Sequence, residues 1–150
     1  MGDIIVAAHG GITYLGMSAL CVLLIVVAGW DRIHARLPNA LTGTALILAL
    51  VLYPSAWWGG ALWAGCYGLA WWRRWGIGGG DVKLAASLGI IAAAQGALVL
   101  PWVIAGAALL TLIDATLNHL SNTPSPTPRG RVPHGPGMVA ATLVVVALGA

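Results

Sequence analysis

The chain is organised around one glycine-rich stretch that ends in an acid, Gly76-Ile77-Gly78-Gly79-Gly80-Asp81-Val82-Lys83-Leu84. Four of the five residues from Gly76 to Gly80 have no side chain, and Asp81 is one of only four acidic residues in the protein. Glycine tolerates positive φ and lets another backbone approach closely. Because the stretch lies between two apolar runs, we predict that Asp81 lies at the edge of a membrane span, where an ionisable residue is a functional candidate.

The composition is typical of a membrane protein. Of the 150 residues 59% are apolar and only 7% are charged, and the mean hydropathy is +0.90. A soluble domain carries about 25% charged residues. We therefore predict an all-α integral membrane protein with a single transmembrane domain over residues 1–150, and with the lipid bilayer as its surroundings. Several of the eight Trp residues stand at the ends of apolar runs, as in an interfacial aromatic belt.

Six apolar runs predict a bundle of six transmembrane helices. They cover residues 12–30, 40–53, 55–72, 82–100, 101–117 and 138–150. The first is uncharged and close to the ~20 residues that cross a bilayer as a helix. It is expected to be a retained span, because Met1–Gly11 lacks the basic residues of a secretory signal. Small residues such as Gly59, Gly60 and Gly65 predict close helix packing in the third run. The turn after the fourth run is predicted at either Gln95-Gly96 or Pro101.

The basic residues fall in alternate connections between these runs or, for Lys83, at the start of a run. They are Arg32, Arg36, Arg73, Arg74, Lys83, Arg129 and Arg131. Cytoplasmic connections carry the excess of Lys and Arg in membrane proteins. We therefore predict cytoplasmic loops at about 31–39, 73–82 and 120–136 and both termini outside, and we interpret these charges as topology signals rather than as a nucleic-acid site.

Three acids approach the predicted cytoplasmic face: Asp31 at the end of the first span, Asp81 at the start of the fourth and Asp114 near the end of the fifth. Two carboxylates that met there would share one proton, as in an aspartyl protease. Simpler roles stay open at this point. Asp81 would also suit a helix N-terminus, Asp31 would also pair with Arg32 or Arg36, and Asp114 is expected to pair with a basic residue of the last loop or with His119.

Three motifs, taken in order, resemble the type IV prepilin peptidase family of GxGD membrane aspartyl proteases. They are Asp31 followed by Leu37-Pro38-Asn39, the segment Gly78-Gly79-Gly80-Asp81 continued by Lys83, and Pro133-His134-Gly135-Pro136 before the last run. GxGD alone is a weak signal, but its combination with the other two in the expected loops is specific. The resemblance covers nearly the whole chain. Two departures are Leu37, where the family often has Ile, and His134, where it often has an aromatic residue.

The resemblance implies cleavage of the short basic leader peptide of prepilins or pilin-like proteins at the cytoplasmic boundary of the bacterial inner membrane. It implies that Asp31 and Asp81 are catalytic, without a metal or another cofactor. The motif residues around them are then expected to bind substrate or support the site: Gly78, Gly80, Lys83, Pro38, Asn39, Pro133, Gly135 and Pro136. Because no N-terminal domain with paired CxxC motifs is present, the chain resembles the short members, such as those of tight-adherence (Flp) pilus systems.

Other functions are weaker interpretations of the same residues. His34, His119 and His134 lack the spacing of a metal site and are expected to make ordinary hydrogen bonds. A presenilin-type protease would carry a Tyr-Asp motif, which the chain lacks. The main alternative is a non-enzymatic membrane subunit of a pilus or secretion assembly machine. Its polar path across the membrane would need charges inside the spans, and Asp114 is the only candidate there.

Overall fold

The computed structural model consists of helices and their connections, without a β-strand, over the residues that it describes. These are 2–34, 36–120 and 133–149, with side chains from Thr13 to Leu148. The helices are α1 (Gly2–His34), α2 (Asn39–Leu52), α3 (Trp57–Trp72), α4 (Gly79–Gln95), α5 (Val99–Leu120) and α6 (Gly135–Gly149). A single 3₁₀ turn, Pro54–Ala56, connects α2 to α3. The predicted all-helical architecture is confirmed. Arg129, Arg131 and most of the predicted last loop lie outside the described residues.

Two of the described helices are long and apolar enough to cross a membrane by themselves, Thr13–His34 of α1 and Val99–Leu120. A third candidate is the pair formed by α2 and α3, which is bent by 112° at its break. The apolar part of α6, Gly135–Leu148, is shorter. The seven Trp residues at the ends of the apolar runs are exposed, whereas Trp63 in mid-helix is fully buried. These helices are those of an integral membrane protein.

The central element is α4, which packs against α2, α3, α5 and α6. Nine of its residues are buried: Leu84, Ala85, Ser87, Leu88, Gly89, Ile90, Ile91, Ala92 and Ala93. A helix that is enclosed in this way needs no polar face. Because Asp81 lies in its first turn, the surrounding helices fix the position of this carboxylate.

Glycines bring α3 and α4 into close contact. A Cβ at Gly59 would meet the backbone oxygen of Gly89, and a Cβ at Gly89 would lie 2.8 Å from the carbonyl carbon of Gly59 and 2.9 Å from the Cα of Gly60. Small residues let helix backbones approach in this way inside membranes. The predicted close packing therefore occurs at Gly59 and Gly60, whereas a Cβ at Gly65 would meet nothing within 4 Å.

The chain turns between α4 and α5 at Gly96, whose φ is +142°. Of the two predicted positions for this turn, Gln95-Gly96 is therefore correct. Pro101 lies in the first turn of α5, where its missing N–H breaks no helical hydrogen bond. In the glycine-rich stretch, positive φ is used at Gly76, at +87°, whereas Gly78 is extended with a φ of −83°.

Candidate active site

Asp81 closes the first turn of α4 with its own side chain. Its Oδ2 accepts a hydrogen bond of 3.0 Å from the N–H of Gly78, the residue that precedes the helix. The N–H of Asp81 donates in turn to the Gly78 carbonyl oxygen at 3.1 Å. A carboxylate here satisfies a backbone donor and lies at the positive end of the helix dipole. The capping interpretation of Asp81 is therefore correct, and it fixes the direction of the carboxylate.

Asp31 lies in the last turn of α1, with only 5% of its surface exposed. Its Oδ2 accepts a hydrogen bond of 3.1 Å from the N–H of Gly135, the first residue of α6. A pair of Asp31 with Arg32 or Arg36 is not found among the described residues. Arg32 Nη1 pairs with Asp114 Oδ2 at 2.7 Å, and the charged groups that act on Asp31 are Asp81 and His134. Asp31 is therefore a buried carboxylate that is hydrogen-bonded to a backbone N–H, and it does not belong to a surface ion pair.

Both aspartates open onto one cavity of about 280 Å³. The lining residues are Asp31, Arg36, Leu37, Asn39, Gly76, Gly78, Gly79, Gly80, Asp81, Pro133 and His134. Asp31 and Asp81 are close enough to interact electrostatically. The cavity therefore brings together residues of all three motifs, from the end of α1, the start of α4 and the start of α6.

One wall of the cavity is the segment between α1 and α2, which is held against α4 at two points. Lys83 Nζ donates a hydrogen bond of 2.6 Å to Asn39 Oδ1. A Cβ at Gly80 would lie 2.9 Å from Leu37 Cβ, so the glycine gives Leu37 room on the first turn of α4. Asn39 is the first residue of α2, and its side chain does not cap that helix. Pro38 precedes that helix without a side-chain cap, and the Asn39 oxygen is taken by Lys83.

A second wall is formed by the residues that lead into α6. Pro133 and His134 line the cavity, and His134 is close enough to Asp31 for an electrostatic interaction. Pro136 is the second residue of α6, where a missing N–H is tolerated because the helix has not yet begun its internal bonds. The motif before the last run is therefore a structural part of the site.

The family model of the type IV leader peptidases matches residues 18–116. The chain belongs to the type IV leader peptidase family. Its members are proteases, and the apolar helices agree with a membrane-embedded one. No curated protein and no solved structure matches the chain.

The matched range of this type IV leader peptidase contains Asp31 and Asp81 but ends before α6. Pro133 and His134 therefore reach the cavity, and Gly135 reaches Asp31, from outside the matched range. Sequence reasoning had selected Pro133 and Gly135 by their motif, but it missed Arg36 as a lining residue. The available signal was its position between Asp31 and Pro38, two residues expected at the same site.

Asp114 and His34 of this leader peptidase make contacts outside the cavity. Asp114 was expected to pair with His119 or with the last loop, whereas it pairs with Arg32, and the two side chains are 27% and 49% exposed. His34 stacks on Trp30 with ring centroids 4.4 Å apart, and its Nδ1 lies 3.2 Å from the Trp30 carbonyl oxygen. No cluster of three potential metal ligands occurs among the residues that the structure describes.

Proposed function

We propose that this protein is a membrane aspartyl endopeptidase that removes the short basic leader peptide of prepilins or pilin-like proteins, with Asp31 and Asp81 as its catalytic pair. The observation that carries the proposal is the single cavity onto which both carboxylates open. Membership of the type IV leader peptidase family supports the reaction. The GxGD context of Asp81 supports the aspartyl type.

The chemistry follows from two interacting carboxylates. Like charges at one site disfavour double ionisation, so the pair holds one proton and titrates as a unit. The ionised carboxylate takes a proton from a water molecule, whose oxygen attacks the peptide carbonyl carbon, while the carboxylic acid donates a hydrogen bond to the carbonyl oxygen. When the tetrahedral intermediate collapses, the C–N bond breaks and the leaving nitrogen takes a proton from the pair. Gly79 and Gly80 line the same cavity, and their backbone N–H groups would stabilise the oxyanion.

The position of the cavity suits a leader peptide joined to an apolar helix. It lies where α1 ends and where α4 and α6 begin. Arg32, Arg36 and Lys83 lie at or next to these helix ends, which supports a cytoplasmic location in the inner membrane of a bacterium. A substrate with a basic head in the cytoplasm and an apolar helix in the bilayer would present its head–helix junction at this depth.

Reporter fusions test the proposed arrangement of six spans with both termini outside. Fusions at Tyr53 and Ala150 are expected to report the outside, and fusions at Arg74 and Thr127 the cytoplasm, because Lys and Arg are retained on the cytoplasmic side. The fusion at Tyr53 asks whether the 112° bend between α2 and α3 separates two spans. A cytoplasmic signal at Ala150, with expression matched to the other fusions, would contradict the six-span arrangement.

A non-enzymatic assembly subunit remains the competing proposal, and co-expression separates the two. The protein is produced with a pilin-like substrate in a host that lacks leader peptidases, and the substrate is followed by its change in mobility. A peptidase removes the leader from the substrate in the absence of any other pilus component. An intact leader, at normal membrane levels of both proteins, would favour the subunit.

A further inference from the structure

We infer that Gly135 is a positioning residue, because its N–H at the start of α6 holds the carboxylate of Asp31 in place for the reaction. The inference rests on the proposed catalytic role of Asp31. It also extends the active site beyond the part of the chain that matches the family, since residues 18–116 end before α6.

The contact between Gly135 and Asp31 is direct and enclosed. The Gly135 N–H donates to Asp31 Oδ2 at 3.1 Å, and Asp31 is only 5% exposed. A Cβ on Gly135 would lie 2.6 Å from this Oδ2 and 3.2 and 3.3 Å from the Cγ and Cβ of Asp31. Any larger residue at position 135 would therefore displace the carboxylate from its donor.

The glycine is needed for space rather than for an unusual backbone conformation. Among the described glycines only Gly76 and Gly96 have positive φ, so an alanine at position 135 would fit the backbone itself. A substitution at position 135 would instead displace the side chain that the glycine contacts, which is that of Asp31.

The start of α6 also packs against α5, and this packing fixes the position of Gly135 next to Asp31. Two residues after Gly135, a Cβ on Gly137 would lie 2.6 Å from Thr111 Oγ1 and 3.1 Å from the Ala107 carbonyl oxygen. Met138 in the next turn is fully buried. The helix is therefore anchored against α5 while its first N–H points to the end of α1.

Gly137 supplies a matched control for a test at Gly135. The substitutions Gly135→Ala and Gly137→Ala each add one methyl group to the first turn of α6. Each methyl carbon would start 2.6 Å from a side-chain oxygen, that of Asp31 in one case and that of Thr111 in the other. The two variants therefore separate displacement of Asp31 from a general disturbance of α6.

The Gly135→Ala variant is expected to lower kcat on the order of 100-fold with little change in KM, because a misplacement of about 1 Å has this effect on a catalytic group. The acidic limb of its pH–rate profile should move to higher pH, since a carboxylate that loses a donor ionises less readily. The Gly137→Ala variant should melt at a lower temperature but keep the wild-type pH profile. Wild-type kcat and pH profile in Gly135→Ala would overturn the inference.

A stability measurement tests the contact without an activity assay and covers the case in which Gly135→Ala folds but is too unstable to assay. In the background Asp31→Ala the carboxylate is absent, so the methyl group at position 135 has room. Gly135→Ala should then lower the melting temperature much less than it does in the wild-type background. Equal lowering in both backgrounds would overturn the contact. Cleavage retained by Asp31→Asn would instead refute the proposed function. The melting comparison would still show whether Gly135 contacts the Asp31 side chain.

Discussion

Replacing either aspartate by asparagine is expected to reduce cleavage of a basic-leader substrate on the order of 10⁴-fold, and replacing both should be no worse than replacing one. Asparagine keeps the size of the side chain but removes the ionisable group. Asp31 and Asp81 open onto one cavity, and in the proposed mechanism they act as one acid–base unit. Groups that act as a unit show this kind of non-additivity.

The assay for the Asp31→Asn and Asp81→Asn variants is the conversion of a pilin-like substrate in membranes, with enzyme levels matched by blot. The control is Asp114→Asn, which breaks a half-exposed ion pair with Arg32. Ion pairs of this kind contribute little, so this variant should lose only part of the activity. Substantial cleavage by either catalytic-pair variant would refute the assignment, and loss confined to Asp114→Asn would place the chemistry elsewhere.

The second large effect concerns folding, and it is expected for Gly89→Val. Its Cβ would lie 2.8 Å from the carbonyl carbon of Gly59 and 2.9 Å from the Cα of Gly60, so backbone rather than a movable side chain would have to give way. Because α4 is the central helix, we expect destabilisation of about 3 kcal/mol or more, the upper end for overpacking. Separation of α3 from α4 would also disturb the turn that carries Asp81.

Gly65→Val is the matched control, since a Cβ at Gly65 would meet nothing within 4 Å. Thermal melting of the purified proteins in the same detergent compares the two variants. Gly89→Val should melt at a much lower temperature or fail to give a monodisperse protein, whereas Gly65→Val should resemble the wild type. Similar melting temperatures of both variants would show that the backbones of α3 and α4 are not in close contact at Gly89.

The helices were predictable because their signal is local. An uncharged run of about membrane length is read directly from the sequence, and α2 begins and ends within one residue of its predicted run. The boundaries of α4 were less accurate, with 82–100 expected and Gly79–Gln95 found. Asp81 closes a turn that includes Gly79, which a hydrophobic run does not reveal, and Gly96 ends the helix through its φ of +142°.

The central position of α4 was not predictable, because all six runs are apolar and no polar face marks the side that packs against protein. Its contact with α3 depends on which of several glycines meet, and Gly59 and Gly60 do so while Gly65 does not. Apolar periodicity carries no such information when lipid and protein core are equally apolar.

The motifs identified most of the candidate site, but not how its residues contact one another. Asp31 and Gly135 are 104 positions apart, and Asn39 and Lys83 are 44 apart. Contacts at such separations are set by the packing of whole helices, so local sequence patterns do not reveal them. The pair of Arg32 and Asp114 was missed for the same reason.

The most direct test of the proposed reaction is cleavage by the purified protein in lipid vesicles, with no other protein present. The substrate is a peptide with a short basic head followed by an apolar helix, and mass spectrometry locates the cut. The wild type should make a single cut at the junction between head and helix, and Asp81→Asn should make none. An intact substrate with folded wild-type protein, or the same cut made by Asp81→Asn, would contradict the account.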